Sequence, residues 1–165
     1  MLVNLFWSLL NLLPASVFCY KYINSKFLII IGAISLVAAF IPVSILYKIQ
    51  LFKSRKAYKK VGVEFISRFT QNGALVNVFI KKRYPGYKIV AATKESRSKL
   101  LQQTYMFEKF HLILLLFFAA LFFYALKNNQ YWWAVILLTT NIIYNVYPCL
   151  LQQYTRLRLS VFKTL

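Results

Sequence analysis

The chain has 165 residues, a formal net charge of +18 and 60% hydrophobic side chains. Soluble domains average about 45–50% apolar residues, so this composition excludes an ordinary water-soluble globule. The basic excess invites nucleic acid as a partner, but the sequence carries no recognisable nucleic-acid module, and the positions of the charges supply a different reason for them.

Four apolar stretches, at residues 1–20, 27–49, 107–126 and 131–151, account for the hydropathy. Each is about 20 residues long, which at roughly 1.5 Å per helical residue spans a bilayer's hydrocarbon core. The first lacks a basic leading region and a small-x-small cleavage pattern and carries Asn4 and Asn11, so it reads as a retained helix rather than a leader. Pro14 and Pro42 are expected to kink the first two helices. Of the 21 Lys and Arg residues, 15 lie between Lys48 and Lys109. By the positive-inside rule that segment is cytoplasmic, together with both termini, and the short loops Lys21–Lys26 and Lys127–Gln130 are outside.

The connection over residues 50–106 is too long for a passive linker. Within it, Val61, Phe65 and Phe69 recur every fourth residue over Ala57–Phe69, which predicts an amphipathic helix on the membrane surface, with Glu64 paired to Lys60. Gln71-Asn72-Gly73 ends it. Ala74–Ile80 reads as a strand or re-entrant piece, Lys81-Lys82-Arg83 as a headgroup-facing patch, and Tyr84-Pro85-Gly86-Tyr87 as a turn. Thr93 is the predicted N-cap of a polar helix through Met106, continuous with the third span.

The third and fourth spans carry the chemistry-bearing residues. Glu108 and His111, the only histidine, share a helix face one turn apart at the entry to an apolar run. A titratable pair there is costly unless it is used, and histidine is the side chain suited to moving protons near neutral pH. On the fourth span Asn141, Asn145, Pro148 and Gln152 fall along one face, because their spacings of four, three and four match the helical period. Antiparallel topology brings Glu108 and His111 to the depth of Gln152 and Arg156. The expected pocket has His111 as general base, Glu108 orienting it, and Arg156 or Arg158 holding an anionic group. The competing reading treats the same residues as interhelical glue, with Glu108 paired to Lys109 or a tail arginine. Tyr131-Trp132-Trp133 reads as an interfacial belt. Cys19 and Cys149, with one histidine, make neither a disulfide nor a metal set.

Glu108-x-x-His111, followed by Asn145-x-Tyr147-Pro148 and then Gln152-Gln153-Tyr154-Thr155-Arg156-Leu157-Arg158-Leu159, resembles the glycosyl-4,4'-diaponeurosporenoate acyltransferase family of small bacterial membrane proteins. Gln153 stands where that pattern has arginine and Thr155 where it has asparagine. The resemblance covers about Thr104 to Leu159 strongly, and Lys60-Val61-Gly62-Val63 with Asn72-Gly73 more loosely. It implies transfer of a fatty acyl group onto a hydroxyl of a glycosylated lipid or carotenoid-like acceptor. The residues carried over are His111 and Glu108 as catalytic positions, with Asn145, Gln152, Tyr154, Arg156 and Arg158 as substrate-binding positions.

The expectation is therefore an all-α protein of the bacterial cell membrane, one domain over residues 1–165. It has four transmembrane helices as two hairpins, joined by a basic cytoplasmic segment with an amphipathic helix. No metal or cofactor is expected; an acyl donor such as acyl-CoA would be a co-substrate, and the partners are anionic lipid headgroups and a lipid-like acceptor. The alternative is a non-catalytic membrane protein that binds anionic lipid or a partner enzyme through its basic segment.

Overall fold

The computed structural model describes residues 2–68 and 94–160, with Val78 and Lys82 between them. Every regular element among the described residues is helical. The helices are α1 (Leu2–Tyr22), α2 (Ser25–Leu36, extended by a 3-10 turn over Val37–Phe40), α3 (Val43–Lys48), α4 (Arg55–Lys60) and α5 (Val63–Ser67). After these come α6 (Lys94–Lys127), α7 (Tyr131–Asn141), a π-helical turn over Ile142–Val146, and α8 (Tyr147–Ser160). Two helical stretches among the described residues, Glu95–Lys127 and Tyr131–Leu159, are long and apolar enough to cross a membrane.

The second expected span is not one helix. Proline has no N–H to donate and biases the residue before it away from the helical region. Ile41 accordingly adopts an extended conformation at ψ 121°, and the apolar run breaks there into α2 and α3. The break frees backbone carbonyls, and one of them is taken up at once: Lys109 Nζ donates to the Ala39 carbonyl at 2.9 Å. At its start α2 is capped by Asn24, whose side chain accepts from the Phe27 N–H at 2.8 Å.

The amphipathic helix expected over Ala57–Phe69 is likewise two short helices. Gly62, at φ 81°, turns the chain between α4 and α5. The residues that pack inward are Tyr58 and Val63, both fully buried, whereas Val61 and Phe65 are exposed. Glu64 pairs with Lys59 at 3.0 Å rather than with Lys60. The readings of residues 69–77, of Tyr84–Tyr87 and of Thr93 lie outside the described residues; Val78 and Lys82 are helical.

The α6–α7 hairpin closes as the polar residues at 127–130 predict. Asn129 takes the left-handed conformation at φ 57°, Gln130 N–H donates to the Ala125 carbonyl at 2.9 Å, and Asn129 N–H donates to Leu126 at 3.0 Å. This pairing satisfies the helix's last carbonyls and reverses the chain in three residues. Beside the hairpin, Phe18 and Ala15 of α1, Ile31 of α2, Phe118, Leu121 and Ala125 of α6, and Ala134 and Leu137 of α7 form an apolar core. Trp133 belongs to its edge, 5.5 Å from the Phe18 ring, while Trp132 is exposed as a belt residue would be. A second, smaller cluster joins Tyr58 and Val63 to Tyr154 of α8.

Candidate functional site

Because α6 and the α7–α8 rod are antiparallel, polar side chains on their facing surfaces meet in a ladder. At the first rung Glu108, 1% exposed, ion-pairs with Arg156, 4% exposed, at 2.5 Å between Oε2 and Nη1. Gln153 Nε2 donates to the other carboxylate oxygen at 2.6 Å, and the Cys149 thiol lies 3.8 Å from the Glu108 carbonyl. The guanidinium also stacks on the Tyr105 ring, 4.4 Å from its centroid. Burial of two charges is tolerated here because each has the other and further hydrogen-bonding or π partners; either alone would be strongly destabilising.

Gln153 connects this pair to the segment before α4. Its Oε1 accepts from the Tyr58 hydroxyl at 2.7 Å and from the Leu51 N–H at 3.1 Å, and the Phe52 N–H donates to the Tyr58 oxygen at 3.1 Å. Burial pushes the Tyr58 phenol above its ordinary value, so it stays a donor through neutral pH. The network thus runs from the α3–α4 connection to Tyr58, Gln153, Glu108 and Arg156 without a gap.

One turn further into the apolar run, His111 lies against the Asn145 side chain and the Tyr144 backbone. His111 Nδ1 and Asn145 Oδ1 are both buried atoms. Asn145 Nδ2 donates to Asn141 Oδ1 at 2.8 Å, and Asn141 Nδ2 donates to the Leu115 carbonyl at 3.2 Å. These amides follow the rule that polar side chains in an apolar bundle turn inward to one another. Arg156 Nε and Nη2 are buried without a hydrogen-bond partner among the described residues.

The sequence-level face of the fourth span is corrected by the π turn. A π turn adds one residue to a helical turn, which rotates everything beyond it by roughly 100° relative to a regular helix. Asn141 precedes the turn and Asn145 lies within it, and both are buried as expected. Beyond it the inward positions are Cys149, Gln153 and Arg156 instead of Pro148 and Gln152, which are half-buried. Glu108 bonds Gln153 and Arg156, the arginine-tail partner, and no bond to His111 appears among the described residues. Tyr154 is a core residue against Tyr58, and Arg158 is exposed, with its guanidinium 6.0 Å from the Tyr154 ring. Tyr58 and Tyr105 carried no signal in the sequence, since their roles depend on long-range register alone. Both cysteines are free.

A model of the glycosyl-4,4'-diaponeurosporenoate acyltransferase family matches residues 42–163. The chain belongs to this family. No curated protein and no solved structure matches it. The acyltransferase match begins at Pro42, the N-cap of α3, and takes in the whole polar ladder from Glu108 to Arg156. It leaves out α1 and α2, so the apolar core is built partly from elements outside the family pattern.

Proposed function

We propose that this protein is a membrane-bound acyltransferase that moves a fatty acyl group onto a hydroxyl of a glycosylated lipid or carotenoid-like acceptor. In this reading α1, α2 with its 3-10 extension, α6 and the α7–α8 rod cross the bilayer, and the basic segment and both termini face the cytoplasm. The 12 residues of α2 and 4 of its extension make a short crossing, which a bilayer accommodates by thinning locally. The observation that carries the reading is the buried ladder between α6 and α7–α8, in which a lone histidine is set against the Asn145 side chain with its ring nitrogen Nδ1 buried.

The chemistry needed is activation of a poor nucleophile. His111 Nδ1 takes the acceptor hydroxyl's proton as its oxygen bonds the acyl carbonyl carbon. The carbonyl electron pair moves to oxygen; its return expels the donor's thiolate, which recovers the proton from the imidazolium. An acyl thioester such as acyl-CoA is the co-substrate. Asn145 stands beside the histidine to orient the hydroxyl. Glu108, Gln153 and Arg156 act as positioning residues that hold α6 against α8, and exposed Arg158 is available to the donor's phosphates.

The test is replacement of His111 by Ala, with membrane lipids compared by mass spectrometry. Loss of the histidine base lowers the acylated product by about a hundredfold or more. Unchanged product from a folded variant overturns the reading. It would favour instead a non-catalytic protein whose exposed Lys53, Arg55, Lys56, Lys59 and Lys60 bind an anionic lipid surface, at about 1 kcal/mol per residue.

A further inference from the structure

Two hollows lie side by side at the α6–α7 turn, at the opposite end of the helix pair from the polar ladder. One, of about 510 Å³, is lined by Phe27 of α2 and by Ala120, Phe123, Tyr124, Lys127 and Asn128 of α6 and the turn after it. The other, of about 440 Å³, is lined by Tyr22 and by residues 128–133. Asn128 belongs to both. Tyr22 and Tyr124, one from each lining, are joined: the Tyr124 hydroxyl donates to the Tyr22 carbonyl at 3.0 Å. The Phe27 ring lies 5.0 Å from that of Tyr124, which closes α2 onto α6 along the first hollow.

The charges at this end are all of one sign. Lys127 is the last residue of α6, and Lys21 and Lys26 flank the α1–α2 connection, Lys21 with its Nζ 5.3 Å from the Tyr22 ring centroid. The chain has three carboxylate side chains, Glu64, Glu95 and Glu108. Glu64 pairs with Lys59 and Glu108 with Arg156, while Glu95 stands in the first turn of α6, at its other end. Among the described residues the three lysines therefore meet no carboxylate side chain, and the positive-inside rule, which sets this end outside, does not account for them. A lysine on an open surface is simply solvated. Lys127 differs because it stands at the rim of an apolar groove, where one partner can bury a chain and neutralise a charge together.

The groove also has a direction. Trp132 and Tyr131, 85% and 61% exposed, mark the headgroup level as an aromatic belt does. Lys127 and Asn128 stand beside them in the chain, whereas Phe123 and Ala120 lie one and two turns deeper, about 10 Å along α6. A ligand that fills the groove has an anionic group at headgroup level and a hydrocarbon chain running inward. That is the arrangement of a phospholipid in its own leaflet. The second hollow carries no charged side chain, and its amides at Asn128, Asn129 and Gln130 suit hydroxyl groups on the head.

We propose that the α2–α6 groove binds one anionic phospholipid of the outer leaflet, with its phosphodiester on Lys127 and Asn128 and a chain along Phe123 and Ala120 against Phe27. A polyol head, as in phosphatidylglycerol, reaches the second hollow. The proposal rests on the membrane crossing of α6 in the reading above and not on acyl transfer.

The full chain is reconstituted in phosphatidylcholine nanodiscs at high salt, which screens loose attraction to the basic segment. The discs carry a trace of phosphatidylglycerol with a diazirine near the ester end of one chain, or of phosphatidylcholine with the same chains. Cross-linked peptides are mapped by mass spectrometry. The expected result is labelling of residues 22–28 or 120–133 that is at least about fivefold stronger with the phosphatidylglycerol probe, a difference of order one lysine at the surface. Lys127→Gln is expected to abolish that difference and leave labelling of the peptide Lys53–Lys60 unchanged. Equal labelling by the two probes overturns the proposal and identifies a groove for any lipid chain. So does a preference that survives in Lys127→Gln, or an absence of labelling at this end. The comparison of probes is read on the unaltered protein, so it stands even if the variant fails to fold. Entry into the discs without a preference removes this site alone; failure of the chain to enter them removes the membrane-crossing reading as well.

Discussion

The two ends of the same helix pair are built on different physics. At the α6–α7 turn, Phe18, Phe118, Leu121, Ala125, Ala134 and Leu137 interdigitate without a charge among them. At the other end the facing positions are Glu108, Asn145, Gln153 and Arg156, buried to a similar degree but polar, with His111 half-buried among them. In the membrane setting proposed above there is little hydrophobic gain in pressing apolar helices together, so close packing has to hold the first end. The second end is held by mutual satisfaction of polar groups, and it tolerates no single omission.

The comparison is broken most sharply by removing one charge. Arg156→Leu leaves the buried Glu108 carboxyl without its ion-pair partner, and is expected to destabilise the protein by about 3–5 kcal/mol. Adding Glu108→Leu to it should recover most of that loss, read as thermal unfolding in detergent. If the double variant is no more stable than the single one, the ion pair is not what holds this end together. At the apolar end, Leu121→Ala opens a cavity and should lower stability by about 2 kcal/mol or more. Acylation per folded molecule should be unchanged, because no atom of the ladder moves out of reach. Equal loss of activity in both variants would mean that the two ends are not separable.

The smallest expected effect sharpens the link to the cytoplasmic segment. Tyr58→Phe removes the donor to Gln153 and should lower stability by about 1 kcal/mol, measurable in the same melts. The phenol's pKa is raised in the folded protein, so its contribution is complete below the ordinary tyrosine value, about 10. That contribution is lost as pH climbs through the higher folded value. The Tyr58→Phe variant should therefore lack that part of the alkaline loss.

Glu108 and His111 were legible from spacing, because a helical face needs only the period of the helix to be read. Asn141 and Asn145 were legible for the same reason. Gln152 was not the right partner, and nothing in the residue types could have said so. The π turn over Ile142–Val146 is a backbone event that shifts the inward face by one residue without changing the side-chain pattern. The break at Pro42 had its cause in plain view, but not the bond by which Lys109 of another helix donates to the freed Ala39 carbonyl. Val61 and Phe65 matched an amphipathic period, yet Gly62 at a positive φ divided that period before it could operate.

By itself, then, the sequence determined what the solvent dictates: helices with satisfied backbones, an apolar surface, basic residues gathered in one connection, and a titratable pair at the edge of an apolar run. Those follow from local composition and from the cost of polar groups in hydrocarbon. Only the tertiary structure decided that Glu108 belongs to Arg156 and Gln153, and that Tyr58 ties the basic segment to them. Each of these depends on the relative register of separate helices. A one-residue change in a single turn resets such a register, and local sequence does not encode it.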